Sequence, residues 1–562
     1  MRPTTLSLIL LFFLFNSSIA VSTEVPVKQP DFHIQVLQYL KRNSAVVAQP
    51  LPDIHPVRTV FNEEAIIPPQ CYTRTEGQHN PCYVCHQDAV PGRENTLNDG
   101  ALQVAYSFSE VGLTNHWSNL FEDRRQAVAD ISDEAIIKWT NTDNYSDLAP
   151  RLKQAGFDGW IPDLENLQHS EAAFDHQGFA LDGSDWVAFN YKPLPSTFWP
   201  TNGSTDDVMI RLPLSFRTDK EGRYSRDIYR ANLAIVEAKV KGFDRISALP
   251  IDEKKIAMDL DQNGRLEITQ HITKLDRYIG AAESEFIDSY LYPQGTEFLH
   301  TVRYVGIGEN DDIKPSRRMK EVRYMVKSRA THKAIYRRNY QLEGYAKELG
   351  QLPQYTYLGD KGIDNGFGWA IQGFIENAQG QLRTLTFEEN LSCMGCHTSI
   401  GSTIDKSFSF PRKVDGTKGW GYINLKGMPD APNLGEQKGE IATYLQRVGG
   451  GGEFRSNEEM FQRWFNDDGS VNNTKVEQAA DVYELITPSK QRALQLNKAY
   501  RAIVAQQDYI YGRDATVLPP ANVYDKIDND NAPTLPPEKF HSWDIRLQWD
   551  TAENKSNPTA AE

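Results

Sequence analysis

The sequence predicts a mainly α fold with much irregular structure, meaning helices joined by long loops with few short strands. Three observations lead there. Several segments carry apolar residues at helical spacing with recognisable start or stop signals. Long stretches rich in Gly, Asp, Pro and aromatic residues show neither helical nor strand periodicity. Alternating apolar and polar runs of strand length are scarce.

The segments follow in chain order. Leu6 to Phe15 is apolar apart from Ser7, Arg2 precedes it, and Ser18-Ile19-Ala20 offers small residues for cleavage, so residues 1–20 read as a signal peptide. No cysteine lies near that site, so no lipid anchor is expected there. No later run reaches about eighteen apolar residues, so no transmembrane segment is expected in the mature chain. Export across the cytoplasmic membrane, to the periplasm or beyond, follows. Asp31 to Asn43 reads as a short amphipathic helix, and the prolines 50, 52, 56, 68 and 69 as extended chain.

Residues 143–213 read as irregular structure or short strands. Arg226 to Lys241 places Ile228, Ala231, Ile235 and Ala238 on one helical face, and Ser316 to about Lys347 places Met319, Val322, Val326, Ala330 and Ala334 likewise. Gly439 to Val448 reads as a helix stopped by Gly449 to Gly452. Thr487 and Pro488 read as the N-cap and first-turn proline of a helix with Ala493, Leu496, Tyr500 and Ile503 on one face. The Pro-, Asp- and Asn-rich tail beyond Val517 reads as partly disordered. A net charge of -15 and pI near 5.4 over 562 residues exclude a nucleic-acid binder, which needs a basic surface.

The chain has five cysteines, and four fall into Cys82-Tyr83-Val84-Cys85-His86 and Cys393-Met394-Gly395-Cys396-His397. This is the spacing of covalent haem c attachment: two thiols for the vinyl groups and an adjacent imidazole for the iron. Zinc ribbons place their pairs closer together, thioredoxin-like motifs need no following His, and a disulfide framework needs less regular spacing. Two covalent haem c groups are therefore expected, with His86 and His397 as iron ligands. Cys71 is left over and reads as a small buried side chain.

Around the second motif the sequence resembles the class I cytochrome c domain, over about 60 residues: Cys393-x-x-Cys396-His397, then Gly427-Met428-Pro429, then a closing helix with Glu440 to Leu445. The gap from His397 to Met428 is shorter than that family's. The resemblance implies Met428 as sixth iron ligand. For the first haem, His116 has the chain length to reach the far face, whereas His79 is close to the motif.

These readings divide the chain into a signal peptide, 1–20; an N-terminal haem-binding region, 21–140; a central module, 141–315; a basic helix and connector, 316–388; a C-terminal cytochrome c-like haem domain, 389–516; and a tail, 517–562. Cytochrome c-like haem regions at both ends thus flank an inserted module. The basic run Arg317 to Arg338 reads as a solvated helix face, as arginines for haem propionates, or as a docking face for an acidic redox partner. Asp259, Asp261, Asn263, Arg265 and Glu267, with Gly264 at the turn, follow the start of a calcium loop, although Gln270 replaces its closing Glu. The function expected is electron transfer between redox partner proteins by a dihaem c-type cytochrome. The rival is a dihaem oxidoreductase, peroxidase- or oxygenase-like, with one open haem site; the bacterial dihaem peroxidases also carry two such motifs and calcium.

Overall fold

The computed structural model describes residues 62–549 apart from 89–97, 107, 196–202, 274–275, 350 and 449–456. The leader, the helix expected over Asp31 to Asn43 and the glycine run after Val448 lie outside the described residues. All described residues belong to one compact unit, Asn62–Glu562.

Ten strands are described: β1 (Val187–Ala188), β2 (Thr205–Arg211), β3 (Arg245–Asp252), β4 (Ile268–Thr273), β5 (Glu297–Ile307), β6 (Ile313–Lys327), β7 (Thr356–Tyr357), β8 (Ile363–Asp364), β9 (Trp369–Glu376) and β10 (Leu382–Thr384). They form an eight-stranded sheet ordered β1-β2-β5-β6-β9-β8-β7, with β10 added beside β9, and a two-stranded ribbon, β3-β4. Every pair is antiparallel. The fold is therefore mixed α/β, and the mainly α, cytochrome-like expectation is corrected.

The physical reason is clearest in β6. Residues 316–327, expected to be helical, form a central strand between β5 and β9. Both of its faces are covered, so it shows no alternation, and its spaced apolar residues imitate a helical stripe. Lys314 and Arg317 are exposed, but from Arg318 onward its basic residues are not a solvated face. Arg318 pairs with Glu376 at 2.6 Å, Arg323 with Glu321 at 2.9 Å, and Lys327 with Asp405. Helix begins only at Lys333 and runs to Glu348.

Helices with strong local signals form where expected. Arg226–Lys241 is a helix (α1) whose N-cap Ser225 accepts from the Ile228 amide, and Gly242 closes it at φ 70°. Its Ile228, Ala231 and Ile235 are buried. Ser225→Ala is expected to lower stability by about 1 kcal/mol, the usual worth of such a cap, read as a shift in denaturation midpoint. A change under a tenth of that would show the cap to be inert.

Glu440–Val448 forms α2 and Lys490–Gln506 forms α3. The cap of α3 is Ser489, whose side chain accepts from the Arg492 amide, rather than Thr487. Of the tail after Val517, residues 518–549 are described and pack into the fold. Trp543, Ile545, Leu547 and Trp549 are at most 3% exposed, and Arg546 pairs with Asp544 at 2.6 Å. Its Pro and Asp content marks irregular backbone, yet its aromatic and aliphatic residues bury it.

Candidate functional site

Both Cys-x-x-Cys-His segments adopt the same tight turn. The His86 amide donates to the Cys82 carbonyl at 2.7 Å, and the His397 amide to the Cys393 carbonyl at 3.0 Å. The first turn is Pro81–Val84, entered through Asn80, whose side-chain oxygen accepts from the Cys82 amide at 2.6 Å. The second follows a short helix, Phe387–Leu391, fixed by a Thr386/Glu389 capping box. Arg383 grips Glu389 through two bonds of 2.8 Å.

The fold brings these turns together from opposite ends of the chain. The Ser402 amide donates to the Cys85 carbonyl at 3.1 Å, and the Gly401 amide to Asp99. Cys396, Cys71 and Cys82 all lie close enough to Cys85 to act on its charge, and burial is the main reason its thiol sits well above the ordinary value. Cys71 therefore joins the cluster, while its carbonyl accepts from the Tyr106 hydroxyl. Burial likewise pushes the Cys82 thiol up to about 12 and the Cys396 thiol up to about 11.

Each motif histidine is anchored through Nδ1. His86 meets Asp99 Oδ2 at 2.9 Å, and His397 meets the Lys406 carbonyl at 2.7 Å. Asp99 also accepts from the Gln87 amide. It therefore orients the first imidazole and ties the two loops.

Above the second motif lies a cavity of about 280 Å³. Its sheet side is built from cross-strand rows: Val208, His300 and Arg323; then Phe298, Met325 and Ile371; then Asp206, Val302 and Glu321. Cys393, Cys396, His397 and Phe408 complete the lining from the loop, with Arg412 and Arg513 nearby. Burial, working against the charge, is outweighed at Glu321 by Arg323 and Arg513, which hold its carboxyl at about 2. Two guanidiniums thus share one carboxylate. The Arg513 Nε is a buried donor with no acceptor among the described residues. His300 and His397 are both held at about 4, first by burial and then by the nearby Arg323.

The other expected ligands go elsewhere. Met428 is buried and lines a separate cavity with Trp420, Tyr422 and Trp549. His79 turns to the Arg447 carbonyl at 3.1 Å. His116 does not line the cavity; its neighbour Trp117 does. His300 does line it, and nothing in the sequence around His300 marks it out, because its partners lie on β2, β6 and the distant loop.

The structure brings together only part of the expected calcium loop. The loop joins a four-residue helix, Glu253–Ile256, to β4, with no helix after it. Gln270 lies in β4 and lines the Met428 cavity, while the 263–267 segment is exposed. Asp259 accepts from the Asn263 and Gly264 amides, at 3.1 and 2.8 Å, and Thr269 donates to Asp261 at 2.8 Å. Glu253 joins Asp259 and Asp261, their carboxylates within 4.8 Å of one another. Glu253 is itself occupied by the Leu260 and Glu267 amides.

A lipoprotein family profile matches residues 54–483. An uncharacterized lipoprotein of Aquifex aeolicus (strain VF5) is 32% identical over 514 residues, spanning 81% of this chain and 86% of that protein. No solved structure matches. These matches correct the expected identity. The relatives are lipoproteins rather than cytochromes c, the fold is not that of a class I cytochrome, and the convergent metal-ligating group found among the described residues is the carboxylate trio above. The dihaem c cofactors, the electron-carrier role and the rival dihaem peroxidase or oxygenase are withdrawn with it. A lipoprotein match supports the secreted location, periplasmic or extracellular, that the leader predicts. Among the described residues, no helix is long and apolar enough to cross a membrane. With a family profile and a relative that both cover most of its length, the chain belongs to this lipoprotein family.

Proposed function

We propose that the chain is an exported ligand-binding protein, whose cavity between the sheet and the second Cys-x-x-Cys-His loop takes an amphipathic molecule with an acidic substituent. The observation that carries this is the make-up of the cavity. Pro68, Leu194, Val208, Phe298, Val302, Met325 and Ile371 supply apolar contact. Cys393, Cys396 and His397 line its loop side. Arg323 and Arg513, sharing Glu321, leave positive charge for an acidic substituent, and the Arg513 Nε needs an acceptor.

The first loop adds a second sign. Gln87 is fully buried, and neither its side-chain oxygen nor its nitrogen has a partner among the described residues. The Ser402 hydroxyl, on the strand of chain that binds Cys85, is in the same state. Unmet polar groups of this kind cost about 1–3 kcal/mol each unless a ligand or water meets them. Few apolar cavities with convergent polar groups are built without an occupant to match.

Intact-mass spectrometry of full-length protein, exported by a bacterial host through its own leader, tests this. Under native conditions the expected mass exceeds that of the processed polypeptide, and Arg323→Gln with Arg513→Gln removes the excess. A native mass equal to the bare polypeptide would sink the proposal.

A further inference from the structure

We propose that Lys327 and Asp405 form a modification site at which the chain joins its own side chains, the Lys327 Nζ to the Asp405 Cγ, as an amide with release of water. The bond is independent of any occupant of the cavity.

The pair ties three parts of the fold together. Lys327 ends β6 opposite Trp369 of β9, and Asp405 lies on the loop after the second motif. Both side chains are 0% exposed, and the Lys327 Nζ is in direct contact with Asp405 Oδ1. Tyr336, on the helix Lys333–Glu348, bridges the two. Its hydroxyl lies 2.7 Å from the Lys327 Nζ and also meets Asp405 Oδ1. The Tyr292 amide donates to the other carboxyl oxygen, Oδ2, at 2.7 Å. The Trp369 indole N–H donates to the Asp405 carbonyl at 2.7 Å. Asp405 sits at φ 48° and Lys406 at φ 61°. Residues with a Cβ keep such left-handed conformations where the surroundings impose them.

A buried ion pair is the ordinary reading of a lysine beside an aspartate. Lys192 and Lys241 fit it, each facing two carboxylates: Asp430 and Glu440 for the first, Glu237 and Asp415 for the second. Lys327 faces one, with the Phe367 carbonyl 3.3 Å away. Its Nζ lies 5.0 Å from the Trp369 ring and 5.3 Å from the Tyr336 ring. Burial lowers the Lys327 amine and pushes the Asp405 carboxyl up to about 6. Both partners thus shift toward their neutral forms, and a free amine against a carboxylic acid is the reactant pair of an amide.

No further reactant is needed. The Nζ lone pair attacks Cγ, and the Nζ–Cγ bond forms as the Cγ–Oδ1 bond breaks. The Tyr336 hydroxyl takes a proton from Nζ and passes its own to Oδ1, which leaves as water with the carboxyl proton. Oδ2 becomes the amide oxygen, and the Tyr292 amide stabilises the charge that gathers there during attack. Reactants held in contact have an effective concentration of about 10⁵ M or more, and a dry interior keeps bulk water from reversing the step. Asp405 titrates as an acid while the pair is open.

Peptide mapping of full-length protein, exported by a bacterial host and digested under denaturing conditions, tests this. Trypsin is expected to leave the bond after Lys327 uncut and to yield one branched peptide carrying residues 327 and 405. That peptide is lighter by one water than its two linear parts together. Separate linear peptides of full mass would overturn the inference.

Lys327→Arg keeps a cation against Asp405 but offers no free amine, and its intact mass is expected to show no lost water. A loss persisting in this variant would place the dehydration elsewhere, at an Asp-Gly turn for example, and overturn the inference. Tyr336→Phe keeps both reactants and removes the relay. Its branched peptide is expected to accumulate about a hundredfold more slowly after folding, and an unchanged rate would overturn the relay. Should either variant misfold, the peptide map of the native chain decides by itself.

Discussion

Arg412→Met is expected to lower the unfolding free energy by about 3–5 kcal/mol, the cost of stranding a buried charge. Arg412 is 1% exposed and Glu440 2%, and they are joined by two bonds of 2.8 Å. Arg412 also donates to the carbonyls of Lys192, at 2.8 Å, and Pro193, at 2.6 Å. It therefore clamps the segment before β2, the loop after the second motif and helix α2. Methionine fills much of the same volume but meets none of these acceptors, leaving two carbonyls unbonded and Glu440 with only Lys192, 3.1 Å away, and the Asn433 amide, 3.4 Å away.

Adding Glu440→Leu to Arg412→Met should recover part of the loss, because it removes the stranded carboxylate. Urea denaturation with an unchanged m-value is the measurement. A loss under about 1 kcal/mol, the scale of an exposed pair, would show that the clamp contributes little.

The second large effect is acid sensitivity. His300 and His397 have an ordinary value of 6.5 and are held at about 4 in the folded chain. The unfolded chain therefore binds these protons more readily than the folded one. Their contribution to stability is complete above pH 6.5 and is lost as pH falls toward 4. Each ring is expected to contribute about 1–3 kcal/mol over that window, after allowance for its partial exposure to the cavity.

Asp405 acts in the opposite direction within the same window. Its carboxyl is pushed up to about 6, by burial above all, against the pull of Lys327. Its contribution is present at low pH and lost as pH rises through that value. The histidine terms are isolated by comparing the pH dependence of denaturation for the native chain and His300→Gln. The variant should show the shallower fall below pH 6.5. Parallel curves would mean that His300 takes up its proton equally in both states.

Much of the local structure was legible in the sequence. The helix expected over Arg226 to Lys241 is α1, at the residues observed. The Ala493, Leu496, Tyr500 and Ile503 stripe is the buried face of α3. Both Cys-x-x-Cys-His segments form equivalent turns. Caps, stripes and tight turns are properties of residues within a few positions of each other, so a linear reading captures them.

Where the reading failed, the deciding partners are distant. Residues 316–327 looked helical and basic, but Arg318 finds Glu376 and Lys327 finds Asp405, on segments that the sequence does not connect to them. Apolar spacing cannot separate a helix from a strand covered on both faces. The C-terminal segment looked unstructured because its composition favours irregular backbone, and only its packing shows that Trp543 and Trp549 are core. The motifs suggested a cofactor class, and the identity they suggested did not survive comparison with the chain's relatives.

The sequence by itself determined the extent of the Arg226–Lys241 helix and the repeat of the Cys-x-x-Cys-His segments. The tertiary structure alone decided that the two turns meet, that Asp99 and His300 belong with them, and that Met428 does not line their cavity. The reason is range: hydrogen bonds at a turn or cap are made among near neighbours, whereas a cavity exists only once sheet and loop have closed around it.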